Sequence, residues 1–165
     1  MIPVVSFIGH QASGKTTFLT ALIPVLLERG YRVGTVKHAP HEESFDHPEK
    51  DSYRHREAGA EKTLVVGKAG CALFWDPLPG QPLEATIERT FKGFDIVLVE
   101  GFKHGPFPKV EVYHPSGGVH AEPLAGRIDV IAVITEGRVA LPDGVAILSP
   151  HSLEDIADFL ERAFL

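Results

Sequence analysis

The chain is 165 residues long and 44% hydrophobic, which suits a single domain, 1–165, with a sizeable core. Its formal net charge is −6, with Lys and Arg scattered rather than grouped, which argues against nucleic acid as a partner. The only cysteine, Cys71, excludes an internal disulfide, and the apolar start before Gly9 is too short for a membrane span, so a cytoplasmic chain with no membrane partner is expected.

The first predicted element is a strand, Pro3-Val4-Val5-Ser6-Phe7-Ile8. It runs into Gly9-His10-Gln11-Ala12-Ser13-Gly14-Lys15-Thr16-Thr17, which fits the Walker A pattern of a glycine, four residues and Gly-Lys-Thr. Gly9 and Gly14 permit the tight backbone that turns successive N–H groups around phosphates, and the following helix adds the positive end of its dipole. The motif makes Gly9, Gln11, Ala12, Ser13, Gly14, Lys15, Thr16 and Thr17 the candidate nucleotide-binding residues. In it, Lys15 reaches the terminal phosphate oxygens, and the Thr16 hydroxyl is a ligand for magnesium.

Apolar residues at Phe18, Leu19, Leu22, Ile23, Leu26 and Leu27 predict a helix over Lys15–Arg29, kinked at Pro24 and closed by Gly30. Tyr31–Val36 reads as a second strand, and the strand-helix-strand order predicts a parallel pair with the first. From Lys37 to Lys50 the periodicity disappears into a long polar loop at the edge of the sheet that carries the P-loop. Lys37 is the candidate cation for a phosphate there. Asp46 and Asp51 are candidates to hold water or to reach magnesium indirectly, with surface or capping roles as the alternative. His38, His41, His47 and His55 suggest a metal, although their spacing fits no closed zinc pattern.

A short polar helix is expected over Asp51–Ala60, then strands at Lys62–Val66 and Cys71–Trp75, the second read as buried, and a helix over Leu83–Phe91. Asp95-Ile96-Val97-Leu98-Val99-Glu100-Gly101 is an unbroken apolar run ending in an acid, the mark of a central strand with the Walker B layout. Glu100 is therefore the second candidate magnesium ligand, facing Thr16, while Asp95 falls at the opposite edge. Further strands are read at Val110–Tyr113, Val130–Ile134 and Val145–Leu148, with a turn-rich segment from His114 to Gly118. Ser152 and Asp155 suggest a capping box for a last helix burying Ile156, Phe159 and Leu160. The pattern is that of an α/β P-loop NTPase with a mostly parallel central sheet flanked by helices.

Beyond the P-loop, three segments are more specific: Val36-Lys37-His38, the run Lys50-Asp51-Ser52-Tyr53-Arg54-His55-Arg56-Glu57-Ala58-Gly59-Ala60, and Asp95 to Glu100 followed by Gly101-Phe102-Lys103. In this order they resemble the MobB family, molybdopterin-guanine dinucleotide biosynthesis protein B, over essentially the whole chain. The resemblance implies GTP binding with weak hydrolysis and a homodimer. It also implies association with the molybdenum cofactor guanylyltransferase that attaches GMP to molybdopterin. One feature departs from common guanine sites: the strand to Ile134 ends in Thr135-Glu136-Gly137 instead of Asn-Lys-x-Asp. Glu136 can accept hydrogen bonds from guanine N1 and N2, or simply end a strand, so guanine over adenine rests on the resemblance. A small-molecule kinase and a metallochaperone-like GTPase using the histidine-rich loop are the competing readings.

Overall fold

The computed structural model describes residues 2–42, 44–76, 78–114 and 122–165. The chain divides into two compact units, residues 1–38 with 87–165, and residues 39–86.

The first unit is built on a six-stranded, all-parallel sheet in the order β2-β5-β1-β6-β7-β8. Its strands are β1 (Val4–Ile8), β2 (Val33–Lys37), β5 (Ile96–Glu100), β6 (Lys109–Val112), β7 (Ala132–Ile134) and β8 (Ala146–Leu148). The predicted β1–β2 pair is not formed, because β5 lies hydrogen-bonded to both strands and separates them. Ile96, Val97, Leu98 and Val99 are wholly buried, so the strand with the longest apolar run takes a central place where both faces are covered. The 14-residue helix α1 (Lys15–Glu28) connects β1 to β2 across the strand between them and stays continuous through Pro24.

Side-chain alternation sorts the core into two layers. Val5 and Phe7 of β1, Ile96 and Leu98 of β5, and Ala132 and Ile134 of β7 join Phe18, Leu22 and Leu26 of α1 and Ile156 and Leu160 of α4 (Leu153–Phe164) in one cluster. Ile8, Val133, Tyr113, Ala125 and Val130 form a second. Each such fully buried aliphatic side chain contributes about 1.5–3 kcal/mol relative to exposure. Arg29, just past α1, ties that helix to α4 through Glu154, Asp158 and Glu161, and these carboxylates push its pKa further up. The expected capping box at α4 is replaced by a side-chain contact: the Ser152 hydroxyl donates to the Asp155 carboxylate and caps no backbone N–H.

Glu111, in β6, is a charge-bearing residue that the sequence disguises inside a strand. It is wholly buried, and its two oxygens accept from the backbone N–H groups of Leu124 (2.7 Å) and Ala125 (3.0 Å), which begin the 3-10 turn Leu124–Gly126. Burial pushes its pKa up, and the two N–H donors pull the other way.

In the second unit, α2 (Asp51–Glu57) is followed by an antiparallel hairpin of β3 (Lys62–Gly67) and β4 (Gly70–Trp75), joined through Lys68 and Ala69. Cys71 is exposed, as are Leu64, Val66 and Leu73, so β4 is not the buried strand that its composition suggested. A short apolar run reads alike in a covered sheet and in a two-stranded ribbon. The helix α3 (Leu83–Thr90) follows. Asp51 does not cap α2, since Lys50 holds the N-cap position and Asp51 is the first helical residue. The turn-rich segment from His114 lies outside the described residues from 115 onward. Among the described residues, no helix is long and apolar enough to cross a membrane.

Two substitutions test these supports. Glu111→Ala leaves two buried N–H groups without acceptors and is expected to cost about 2–5 kcal/mol, read as a lower denaturant midpoint at unchanged slope. Gly9→Ala places a methyl 2.5 Å from the Val112 carbonyl oxygen and 2.6 Å from Ser13 Oγ at a φ of +154°, and is expected to cost about 1–3 kcal/mol in the same assay.

Candidate functional site

The site forms where β1, β5 and β2 end side by side. In register, Glu100 stands opposite Phe7 of β1 on one side and Lys37 of β2 on the other. Parallel neighbours at one level share a face, so the β5 carboxylate and the β2 ammonium meet: Lys37 Nζ lies 3.8 Å from Glu100 Oε1. From the start of α1, Thr16 Oγ1 donates to the same oxygen at 2.8 Å. Thus Thr16, Lys37 and Glu100, separated by up to 84 residues in the chain, converge on one carboxylate.

The loop between β1 and α1 has the backbone that the motif requires. Ala12 adopts the left-handed conformation (φ 60°) and Gly14 follows at φ 85°, the kind of alternation that points consecutive N–H groups into one concavity. α1 begins directly after it, with the Phe18 N–H bonded to the Gly14 carbonyl (2.8 Å). Lys15 curls back over the loop, and its ammonium donates to the carbonyls of His10 (2.7 Å) and Gly9 (3.2 Å) and to Ser13 Oγ (3.3 Å). Partial burial lowers the Lys15 pKa; Glu100 opposes that shift and Lys37 adds to it. A cation held by loop carbonyls in this way can exchange them for phosphate oxygens, which are stronger acceptors.

Beyond the carboxylate the chain makes an abrupt turn. Gly101 (φ 91°) and Phe102 (φ 59°) are both left-handed, an uncommon state for a bulky residue and one that concentrates near functional sites. The Phe102 ring packs 4.6 Å from the His38 ring, closing over the ends of β5 and β2.

Thr16 and Glu100 offer a hydroxyl and a carboxylate oxygen, a hard donor set. Such a pair can hold magnesium, which takes few protein ligands and completes its shell with water and phosphate oxygens. Among the described residues, no three His, Cys, Asp or Glu side chains group together as metal ligands.

The remaining sequence candidates fall as follows. Gly9, Gln11, Ala12, Ser13, Gly14 and Thr17 lie in or directly after the loop, with Gln11, Ala12, Gly14 and Thr17 exposed. Asp51 belongs to the second unit, where it is largely exposed and 3.8 Å from Arg54. Asp46, in that unit too, is 5% exposed; it accepts from Ser52 Oγ at 2.9 Å and lies 3.8 Å from Arg56, so it organises its own loop and α2. Asp95 sits at the opposite end of β5 and accepts from the Arg32 N–H at 2.6 Å. Glu136, just beyond β7, faces His151, just beyond β8, with 3.2 Å between Oε1 and Nε2. His151 was not singled out by sequence reasoning. Its signal was positional: like Glu136, it follows the end of a parallel strand at the sheet edge that bears the P-loop.

This geometry coincides with close likenesses to known proteins. Residues 4–136 match the family described as MobB: Molybdopterin guanine dinucleotide synthesis protein B. The chain is 38% identical to the molybdopterin-guanine dinucleotide biosynthesis adapter protein of Escherichia coli K12, covering 97% of this chain and 92% of that one. It is 33% identical to the adapter protein of that name from Haemophilus influenzae, over 98% and 89%. A crystal structure of molybdopterin-guanine biosynthesis protein B superposes with a TM-score of 0.71 at 28% identity, covering 97% of this chain and 99% of the other. Bacillus subtilis MobB does so with 0.66 at 26%, over 95% and 97%. By these matches along nearly its whole length, the chain belongs to the MobB family.

Proposed function

We propose that this chain is a magnesium-dependent GTP-binding adapter in molybdopterin-guanine dinucleotide biosynthesis, a cytoplasmic homodimer that serves the guanylyltransferase joining GMP to molybdopterin. The pathway follows from the family and from relatives whose names carry the adapter role. The observation that carries the nucleotide reading is the convergence of Lys15, Thr16, Lys37 and Glu100 around the ends of β1, β5 and β2.

Each of these residues has a separate task. The backbone N–H groups of the loop cradle phosphate oxygens, and Lys15 transfers its hydrogen bonds from the Gly9 and His10 carbonyls to them. Thr16 and Glu100 hold magnesium, which when bound neutralises charge on the phosphates. Lys37, on β2 at the level of Glu100, adds a second cation on the far side of the carboxylate. Glu100 is engaged by both Thr16 and Lys37, so it serves as a ligand rather than as a base for an attacking water. A protein that acts by binding GTP more than by consuming it accords with the adapter role that the relatives' names carry.

Calorimetric titration with GTP and ATP, each with magnesium, tests the reading. Wild-type protein is expected to prefer GTP, and Lys15→Ala to lose at least about tenfold in affinity, the worth of one charge-assisted hydrogen bond. Turnover of GTP is expected to stay well below the range of about 1–100 s⁻¹ typical of kinases, with the guanylyltransferase present or absent. Preference for ATP, or fast turnover, contradicts the proposal.

A further inference from the structure

The second unit holds a cavity of its own, about 740 Å³ in volume, within the range of about 300–1,000 Å³ common for small-molecule sites. The end of β4 supplies Phe74 and Trp75 to its lining, α2 supplies Arg56, and the loop before α2 supplies Phe45. That loop is pinned beside Phe45: the Ser44 hydroxyl donates to the Asp46 carbonyl (2.7 Å), and the buried Asp46 carboxylate accepts from Ser52 Oγ (2.9 Å). The Phe45 ring is left 75% exposed, displayed at the cavity rather than used in a core.

Arg56 distinguishes this cavity from a gap in packing. Its guanidinium lies 3.8 Å from Asp46, and Asp76, the residue after β4, accepts from Nη2 at 2.5 Å. Among the described residues this is its one hydrogen bond, and Nε is buried without a partner, so most of its five N–H donors are unspent. Asp76 and Glu42 also line the cavity, and with Asp46 beside Arg56 the carboxylates outnumber the cation, which disfavours an anionic ligand. Such a lining suits a neutral flat ring that offers a carbonyl to the guanidinium and N–H groups to a carboxylate.

We propose that this cavity binds a pterin, with Arg56 donating to the ring carbonyl and Asp76 accepting from the ring N–H and amino groups beside it. A pterin carries these groups in a row along its aminopyrimidinone edge, and the Arg56–Asp76 pair sets a donor next to an acceptor in the matching order. Its fused rings are flat and offer their faces to Phe45, Phe74 and Trp75. Guanosine has the same edge but carries a non-planar ribose on its second ring, which stacks less well in an aromatic lining. The choice of a pterin rests on the pathway proposed above, in which the molecule joined to GMP is one. Every residue named here belongs to the second unit and the phosphate loop to the first, so the two sites can be tested apart.

Trp75 is the chain's only tryptophan, so its fluorescence reports on the cavity directly, with calorimetry as the second readout. The probes are hydroxymethylpterin, guanosine, and hydroxymethyllumazine, which carries oxygen in place of the amino group. Wild type is expected to bind the pterin about tenfold more tightly than the lumazine, the worth of one charge-assisted hydrogen bond. Asp76→Asn is expected to lose about tenfold for the pterin and to bring the lumazine level with it, whereas Phe45→Ala weakens both alike by about tenfold. Both side chains are largely exposed, so an unchanged unfolding midpoint is the expected folding control. Lys15→Ala is expected to bind the pterin as wild type does. No pterin binding, or a pterin-to-lumazine ratio that is the same in Asp76→Asn and wild type, overturns the proposal and leaves GTP binding untouched. Guanosine bound as tightly as the pterin, or pterin binding lost with Lys15→Ala, overturns it as well. If the pterin binds as expected and GTP does not bind, the nucleotide reading falls and this site stands.

Discussion

Strand β5 lies hydrogen-bonded between β1 and β2, and that pairing creates the candidate site. It brings the end of an apolar strand against the P-loop and sets Glu100 level with Lys37. Thr16 then closes the group from the first turn of α1. If β1 and β2 were neighbours, the carboxylate would stand beyond one of them, and its contacts with Thr16 and Lys37 could not both form. The chemistry of the site is thus a consequence of sheet order, which is in turn set by which strand is apolar enough to be buried on both faces.

The rest of the first unit holds that arrangement in place. One face of β1 and β5 is covered by α1 and α4 through Phe18, Leu22, Leu26, Ile156 and Leu160, and Arg29 links the two helices with three carboxylates. On the other side of β1, Glu111 anchors β6 to the 3-10 turn. The left-handed Gly101–Phe102 turn ends β5 directly after Glu100, so the carboxylate stays at the sheet edge while the chain turns away. The Thr16–Glu100 pair between β5 and β1, the glycine-rich loop after β1, and an apolar cleft at the ends of β7 and β8 then lie in that order along one edge.

The elements that carry this arrangement were largely legible in the sequence, for identifiable physical reasons. The Walker A loop was legible because its glycines and its Lys-Thr have few other uses in a strand-to-helix turn. Glu100 was legible because an acid ending a fully apolar run belongs at a sheet edge. Strand order was not, since the β1–β2 pairing inferred from a local crossover was displaced by the long-range pairing of β5. Cys71 misled because an apolar run does not record whether another layer covers it. Glu111 was hidden because its partners, two backbone N–H groups, leave no trace in side-chain identity. The Glu136–His151 pair was half visible: the acid could be noted, but its partner required the ends of β7 and β8 to be neighbours.

The most direct test of the central claim is to count divalent cations with manganese as a spin probe in place of magnesium. Electron paramagnetic resonance of the protein with GTP would be compared between wild type and Glu100→Gln. The account predicts one tightly held manganese per chain in the presence of GTP, and its release or clear weakening in the variant while the fold is retained. Equal manganese binding in both proteins would contradict the convergence of Thr16 and Glu100 as the cation seat.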